Sequence, residues 1–508
     1  MYLISCTIFF VQCNKDINTR TNQLSPLIPI NEDKDAGTWK TIILSKPDSI
    51  AIAAPIAINN PIYVGELNEI KGLQKNATNE QLANMRYWAA GGVLRWNEIM
   101  RTLVAKYNLP PYQNIDGTYP IPSAANPFAY PLFPFANPPY SARAFAYIAA
   151  AQYDALVACW NYKNVYKRAM PYNIDSTILP LQYKSNFYSY PSESAVMAGV
   201  TAEMMKLLFP TEIAYIEQLL LLQENATKLA GNATSSDIKA GEDLGRKIAL
   251  IFVDRARKDN AGKAVGTPTD WANLELKTIQ KGEIPWVSLE LPKRPPMLPL
   301  FGNVIPFLFD TIQAKNLVPP PPPSTKSDSM KEELHIVYNT IKNYSNDNQR
   351  NVLFWGDGVG TYTPPGHWNS IAADDFILKQ YSEVRWARNF ALLNMALMDA
   401  AIVCWKTKYT YFNPRPSQLN SDIKTLTGVP NFPSYISGHS TFSGAAATIL
   451  GYLIPENKQK YIQLANDASL SRLTGGIHYK IDCEVGLQVG NKIGQFAINK
   501  ASVDGGNK

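Results

Sequence analysis

The chain repeats itself at a constant offset of 245 residues, and that narrows its possible folds more than any other feature. Arg143, Phe145 and Ala146 return as Arg388, Phe390 and Ala391, and Asp154-Ala155 returns as Asp399-Ala400. Cys159-Trp160 with Lys163 returns as Cys404-Trp405 with Lys408. Pro171, Pro210, Gly245 and Lys247 fall on Pro416, Pro455, Gly490 and Lys492. With a small shift, Tyr190-Pro191-Ser192 echoes Phe432-Pro433-Ser434, and at a larger offset of 272 Trp96-Asn97 echoes Trp368-Asn369. A register held from Arg143 to Lys247 implies two halves of like topology, each burying its apolar faces and packed on the other.

The repeated segments are Ala-rich with helical apolar faces. Helices are expected at 80–106, 141–162, 193–208, 211–230 and 235–258, and again at 328–344, 369–407, 440–454, 457–470 and 484–500. The fold class that follows is all-α, two helical bundles of like topology. The expected organisation is an irregular N-terminal segment at 14–79, a first bundle at 80–260, a connection at 261–327 and a second bundle at 328–505. Pro319 to Pro323 lie in the connection and must be extended, since proline cannot continue a helix.

Hydrophobic content of 46% with 18% charged residues fits a folded protein and excludes a disordered one. The net charge of +6 comes from 48 basic and 42 acidic residues without a basic run, so nucleic-acid binding finds no support. No apolar stretch reaches the roughly 20 residues of a membrane helix. Five cysteines (Cys6, Cys13, Cys159, Cys404 and Cys483) show no metal-ligating spacing, and their odd number argues against a disulfide framework. Cys159 and Cys404 read as small core residues. Residues 1–13 form a short apolar run ending at Cys13, similar to the end of a signal peptide with a lipoprotein cysteine. The Lys15-Asp16 that follows resembles the surface-export signal of Bacteroidetes lipoproteins. An exported protein is expected, periplasmic or lipid-anchored at the surface of a Gram-negative cell.

The two halves differ in chemistry. Where the second has Arg415 the first has Met170, and the first histidine is His335. Four segments of the second half converge on one kind of site: Lys408 with Arg415-Pro416, then Ser437-Gly438-His439, then Ser471-Arg472, then His478 with Asp482. Lys408, Arg415 and Arg472 supply three positive charges, which suit a tetrahedral or trigonal oxyanion. Ser437-Gly438-His439 precedes a helical run, so its N–H groups favour an anion, and Gly438 lets the backbone approach an oxygen. Ser437 is equally a helix cap. His478 and Asp482 share a face if helical, so that the carboxylate fixes the imidazole tautomer. Thr474-Gly475-Gly476 breaks the chain between Arg472 and His478.

This order of motifs resembles the signature of the type 2 phosphatidic-acid phosphatase and vanadium-dependent haloperoxidase superfamily. It departs from it at Ile436, where the family usually has proline. The resemblance implies an all-α fold with two four-helix bundles. It implies that Lys408, Arg415, Ser437, Gly438 and Arg472 bind vanadate or its isostere phosphate. His478 would coordinate vanadium or attack phosphorus, His439 would be the acid/base, and Asp482 would orient His478. Trp405, Phe432 and His367 are halide-pocket candidates by the same resemblance, with Asp357 behind them and able to pair with Arg472. Trp405 and Phe432 also have echoes in the first half, at Trp160 and Tyr190, and read equally as core. The implied reaction is oxidation of a halide by hydrogen peroxide, followed by transfer to a small organic acceptor. An acid phosphatase working through a phospho-His478 intermediate, or a surface protein that only binds oxyanions, uses the same residues.

Overall fold

The computed structural model describes residues 24–109, 137–185, 187–290 and 293–507. The leader-like segment with Cys6 and Cys13 lies outside them. The described residues form helices and no strand, as expected for the all-α class.

The first half runs α1 (Pro61–Lys75), α2 (Asn79–Trp88), α3 (Gly92–Tyr107), α4 (Pro138–Tyr166), α5 (Glu193–Leu208), α6 (Ile213–Leu229) and α7 (Ser235–Lys258). After α8 (Pro268–Gln280) the second half continues with α9 (Asp328–Lys342), α10 (Asn346–Phe354), α11 (Thr363–Lys379), α12 (Glu383–Tyr411), α13 (Gly438–Leu453), α14 (Lys458–Thr474) and α15 (Lys480–Ala501). Helices α4 to α7 start 245 residues before α12 to α15.

The two 29-residue helices α4 and α12 pack directly on each other and join one continuous core. By length and composition, α12 belongs to a stretch apolar enough to cross a membrane, yet 94% of its apolar 18-residue window is buried inside the fold. It is a core helix.

The same polar devices recur in each half. Asp154 of α4 accepts the backbone N–H groups of Ile42, Ile43 and Leu44, while Asp399 of α12 accepts those of Phe307 and Leu308. Gly37 and Gly302 lie so close to α4 and α12 that an added Cβ would meet backbone at 2.5 Å and 2.6 Å. Partly buried Arg143 binds Asp259, and buried Arg388 binds Asp504.

Several expected boundaries move. The segments expected at 80–106 and 369–407 each break in two, at Gly91 with φ 113 and at Gln380 with φ 48. Ser382 then caps α12. Helix α1 forms within the segment expected to be irregular, capped by Asn60 with proline at its first turn, and α8 lies in the connection. The shifted echo is also corrected. The Ser192 N–H donates to the Asp237 carbonyl and the Ser437 N–H to the Asp482 carbonyl, both at 3.0 Å. Tyr190-Pro191-Ser192 therefore matches Tyr435-Ile436-Ser437 in the unshifted register, and Phe432 matches Phe187.

Candidate oxyanion site

Lys408 sits in the last turn of α12 and is fully buried. Its ammonium donates to the carbonyls of Pro433 at 2.8 Å, Ser434 at 2.9 Å and Ile436 at 2.6 Å. With all three hydrogens on backbone, Lys408 gives the site charge rather than a free donor. Helix α12 ends at Phe412 in the left-handed region, which turns the chain so that Arg415 folds back under the helix. Arg415 donates to the Phe432 carbonyl at 3.0 Å, the Ile477 carbonyl at 2.7 Å and His478 Nε2 at 3.0 Å. The Phe432 ring lies 5.0 Å from both cationic groups and packs against Trp405, with centroids 5.1 Å apart.

Ser437 caps α13, its hydroxyl accepting from the Ser440 N–H at 3.3 Å. Gly438 opens that helix, and a Cβ placed there would meet nothing closer than the Trp405 ring at 3.8 Å. The backbone approach expected at Gly438 is therefore open. Arg472 closes α14, donating to Ser471 Oγ at 2.8 Å and the Val352 carbonyl at 3.1 Å. Helix α14 stops at Thr474, and Gly476 at φ 75 brings His478 round to Arg415.

His478 and Asp482 meet, but not along a helix face. His478 precedes α15, and Asp482 is the third residue of that helix, turned back onto the Tyr479 N–H in a capping box. Asp482 Oδ2 lies 2.9 Å from His478 Nδ1 and also accepts the Ser434 hydroxyl. The tautomer follows from the partners. Arginine can only donate, so His478 Nε2 must accept from Arg415 and the proton sits on Nδ1, facing Asp482. The lone pair of Nε2 thus points into the cation cluster.

Asp357 takes other partners than the one expected. Its Oδ1 lies 3.0 Å from His367 Nδ1, and its Oδ2 lies 3.4 Å from His439 Nε2, at ion-pair distance but out of hydrogen-bond alignment. Arg472 acts on it only through its charge. His367 also stacks on Trp355, with centroids 4.4 Å apart, so it braces Asp357 behind His439. Trp405 donates its indole N–H to the Met297 carbonyl at 3.2 Å, and its pairing with Phe432 is repeated by Trp160 with Phe187. That aromatic wall belongs to both halves.

Charge is badly balanced in this cluster. Burial drives the Lys408 ammonium down to about 7 and the Arg415 and Arg472 guanidinium groups down to about 10. Burial, then the neighbouring Arg472, takes His439 down to about 4, and burial with Arg415 and Lys408 holds His478 well below its ordinary value. Burial also raises Asp482 to about 6, against the hydrogen bond from Ser434. Asp357 moves below the usual carboxylate range because His367 and His439 outweigh its burial. Three buried cations facing two carboxylates call for an anion, and unused groups face inward. Among the described residues, Arg415 Nη2, His439 Nε2 and Asp482 Oδ1 are buried without a hydrogen-bond partner. Arg415 Nη2 is the free donor among these, since Asp482 Oδ1 can only accept, and with the surplus of cations it fits an oxyanion.

This predicts a pH dependence. Sulfate keeps its charge above neutral pH, so its affinity should fall as pH rises from 7 to 9, by up to roughly tenfold per unit as Lys408 deprotonates. Asp482, already ionised there, adds no opposing trend. Calorimetric titration at fixed ionic strength measures it, and a flat profile would remove Lys408 from the site's charge.

Sequence reading missed Ser434 and the carbonyls of Val352, Phe432 and Ile477. Ser434 had a signal, in the Phe432-Pro433-Ser434 run beside the motif. Carbonyls leave none.

Residues 389–501 match the family model described as PAP2 superfamily. Over 124 residues the chain is 31% identical to vanadium chloroperoxidase from Curvularia inaequalis, a match covering 18% of this chain and 20% of that relative. A bacterial vanadium-dependent iodoperoxidase structure superposes with a TM-score of 0.56 at 24% identity, covering 72% of this chain and 91% of its own. The holo-type bacterial vanadium-dependent chloroperoxidase gives 0.53 at 11% identity, covering 78% and 98%. The chain thus carries a PAP2-superfamily segment, α12 to α15, within the all-α fold of the vanadium-dependent haloperoxidases.

Proposed function

We propose that the protein is a vanadium-dependent haloperoxidase that oxidises a halide with hydrogen peroxide. The observation that carries this reading is the three buried cations closing around the inward lone pair of His478. Lys408, Arg415, Ser437, Gly438 and Arg472 would hold the vanadate oxygens, and His478 Nε2 would be the protein's ligand to vanadium. Bound vanadate supplies Lewis-acid activation of peroxide. With the anion bound, Arg415 would donate to one of its oxygens instead of to Nε2, and Asp482 would keep the proton on Nδ1. His439 is neutral above about 4 and its side chain is 17% exposed, so it can accept a proton from incoming peroxide. Asp357, braced by His367, steadies the imidazolium that results. Preference over a phosphatase comes from the fold, since the likeness to haloperoxidases runs across both halves rather than the PAP2 segment alone.

Purified apo-protein with orthovanadate and peroxide should halogenate a phenolic indicator with at least one of the halides offered in turn. p-Nitrophenyl phosphate should be turned over poorly. Phosphatase turnover without vanadate-dependent halogenation would overturn the reading. His439→Ala should keep vanadate and lose about 10²–10⁴-fold in turnover, the usual contribution of a general base. Unchanged turnover would remove His439 from that role.

A further inference from the structure

The first half holds a cavity of about 220 Å³ at the position that matches the oxyanion site in the second. It lies under the same aromatic wall, Trp160 with Phe187, and beside Lys163, the counterpart of Lys408. The anion-binding groups are replaced. Arg415, His439, Arg472 and His478 correspond to Met170, Ser194, Thr227 and Ala233. Gly438, where the backbone would meet an oxyanion, corresponds to Glu193. The balance of charge is shifted: three carboxylates, Glu32, Glu193 and Glu383, line the cavity beside the ammonium of Lys163, and Lys34 pairs with Glu32 at 3.6 Å, leaving Glu193 and Glu383 without an ion pair among the described residues.

We propose that this cavity binds a small organic cation, an alkylammonium group held by Glu193 against the faces of Trp160 and Phe187. Glu193 Oε1 accepts the Trp160 indole N–H at 3.0 Å, and among the described residues its Oε2 has no hydrogen-bond partner. Glu383 uses its carboxylate to cap α3 at Gly92 and Val93, so it adds charge more than a free acceptor. Lys163 donates to the Tyr188 carbonyl with its ammonium 6.0 Å from the Trp160 ring centroid, and it forms no ion pair with these carboxylates among the described residues. Burial pushes Glu193 up, and Glu383 up to about 7, as expected of carboxylates that lack a counter-cation in contact. An aromatic face beside a carboxylate is the setting in which ammonium groups bind through both charge and ring quadrupole. The volume lies below the roughly 300–1,000 Å³ of pockets for drug-sized ligands, which selects a compact cation. An oxyanion there would face Glu193 with one cation in support, so the two cavities should not share ligands.

The test is calorimetric titration of the full-length protein with propylammonium and tetramethylammonium chloride, with 1-propanol as the neutral control. Saturable binding of a cation, weakened at least tenfold by Glu193→Gln and absent for propanol, is the expected result. Orthovanadate should not compete, and Arg472→Met, in the other half, should leave the affinity unchanged. If Glu193→Gln fails to fold, Thr227→Leu, which fills the cavity, should abolish binding. No saturable binding of either cation, equal binding of propanol, or competition by orthovanadate would each overturn the proposal. None of these outcomes depends on the halogenation assay, so failure here and failure of the enzymatic reading stay separate.

Discussion

His478→Ala should give a folded protein that no longer retains vanadate. His478 is buried and offers one lone pair to the cation cluster, with its tautomer held by Asp482 and Arg415. Mutating a partner of a metal ligand typically costs about 10- to 100-fold in affinity, and removing the ligand itself should exceed that. Dialysis against vanadate-free buffer followed by elemental analysis should find wild-type protein loaded and the variant empty. Halogenation should fall about 10³-fold or more, in line with the loss of a group essential to the site. The cations remain, so sulfate should still bind, which distinguishes loss of the ligand from collapse of the site. A variant that keeps vanadium and turns over would show that the ligand is another residue.

Asp504→Ala should produce the largest loss of stability. Arg388 is 2% exposed and pairs with both Asp504 oxygens, at 2.8 Å and 2.9 Å, and with the Ala501 carbonyl at 3.0 Å. Removing the carboxylate leaves a buried guanidinium partly unpaired, a change that costs about 3–5 kcal/mol where one partner of a buried pair is deleted. Urea denaturation followed by far-ultraviolet circular dichroism measures it. Asp259→Ala removes the corresponding carboxylate from Arg143, which also bonds the Ala256 carbonyl. Equal losses are expected if the two halves carry equal loads. A loss under about 1 kcal/mol for Asp504→Ala would mean that Asn507 and the helix-end carbonyl suffice to solvate Arg388.

The helices and the charged cluster were legible because each rests on local pattern. Alanine-rich apolar faces mark α4 to α7 and α12 to α15, and Lys408, Arg415, Arg472 and His478 stand out against a first half that lacks three of them. What escaped depends on contacts that spacing does not encode. His478 and Asp482 four residues apart suggest a shared helix face, yet a capping turn places them together. Asp357 beside Arg472 is plausible by charge alone, but the ring of His367 reaches it first. Phe432 was matched to Tyr190 because identities are sparse between the halves. Only the backbone pairing of Ser192 with Asp237 and Ser437 with Asp482 corrects that register. Helices α1, α8 and α10 were hidden by polar sequence, since their caps rather than apolar faces announce them.

Glu383 begins α12, yet its carboxylate accepts the N–H groups of Gly92 and Val93 at the start of α3, in the opposite half. One side chain therefore belongs to two structural accounts at once. Cutting the gene between the halves would strip α3 of its terminal acceptors and bare the face of α12 that α4 covers. The half without the oxyanion chemistry is consequently not free to drift or be discarded. Its packing holds in place the half that carries the oxyanion cluster.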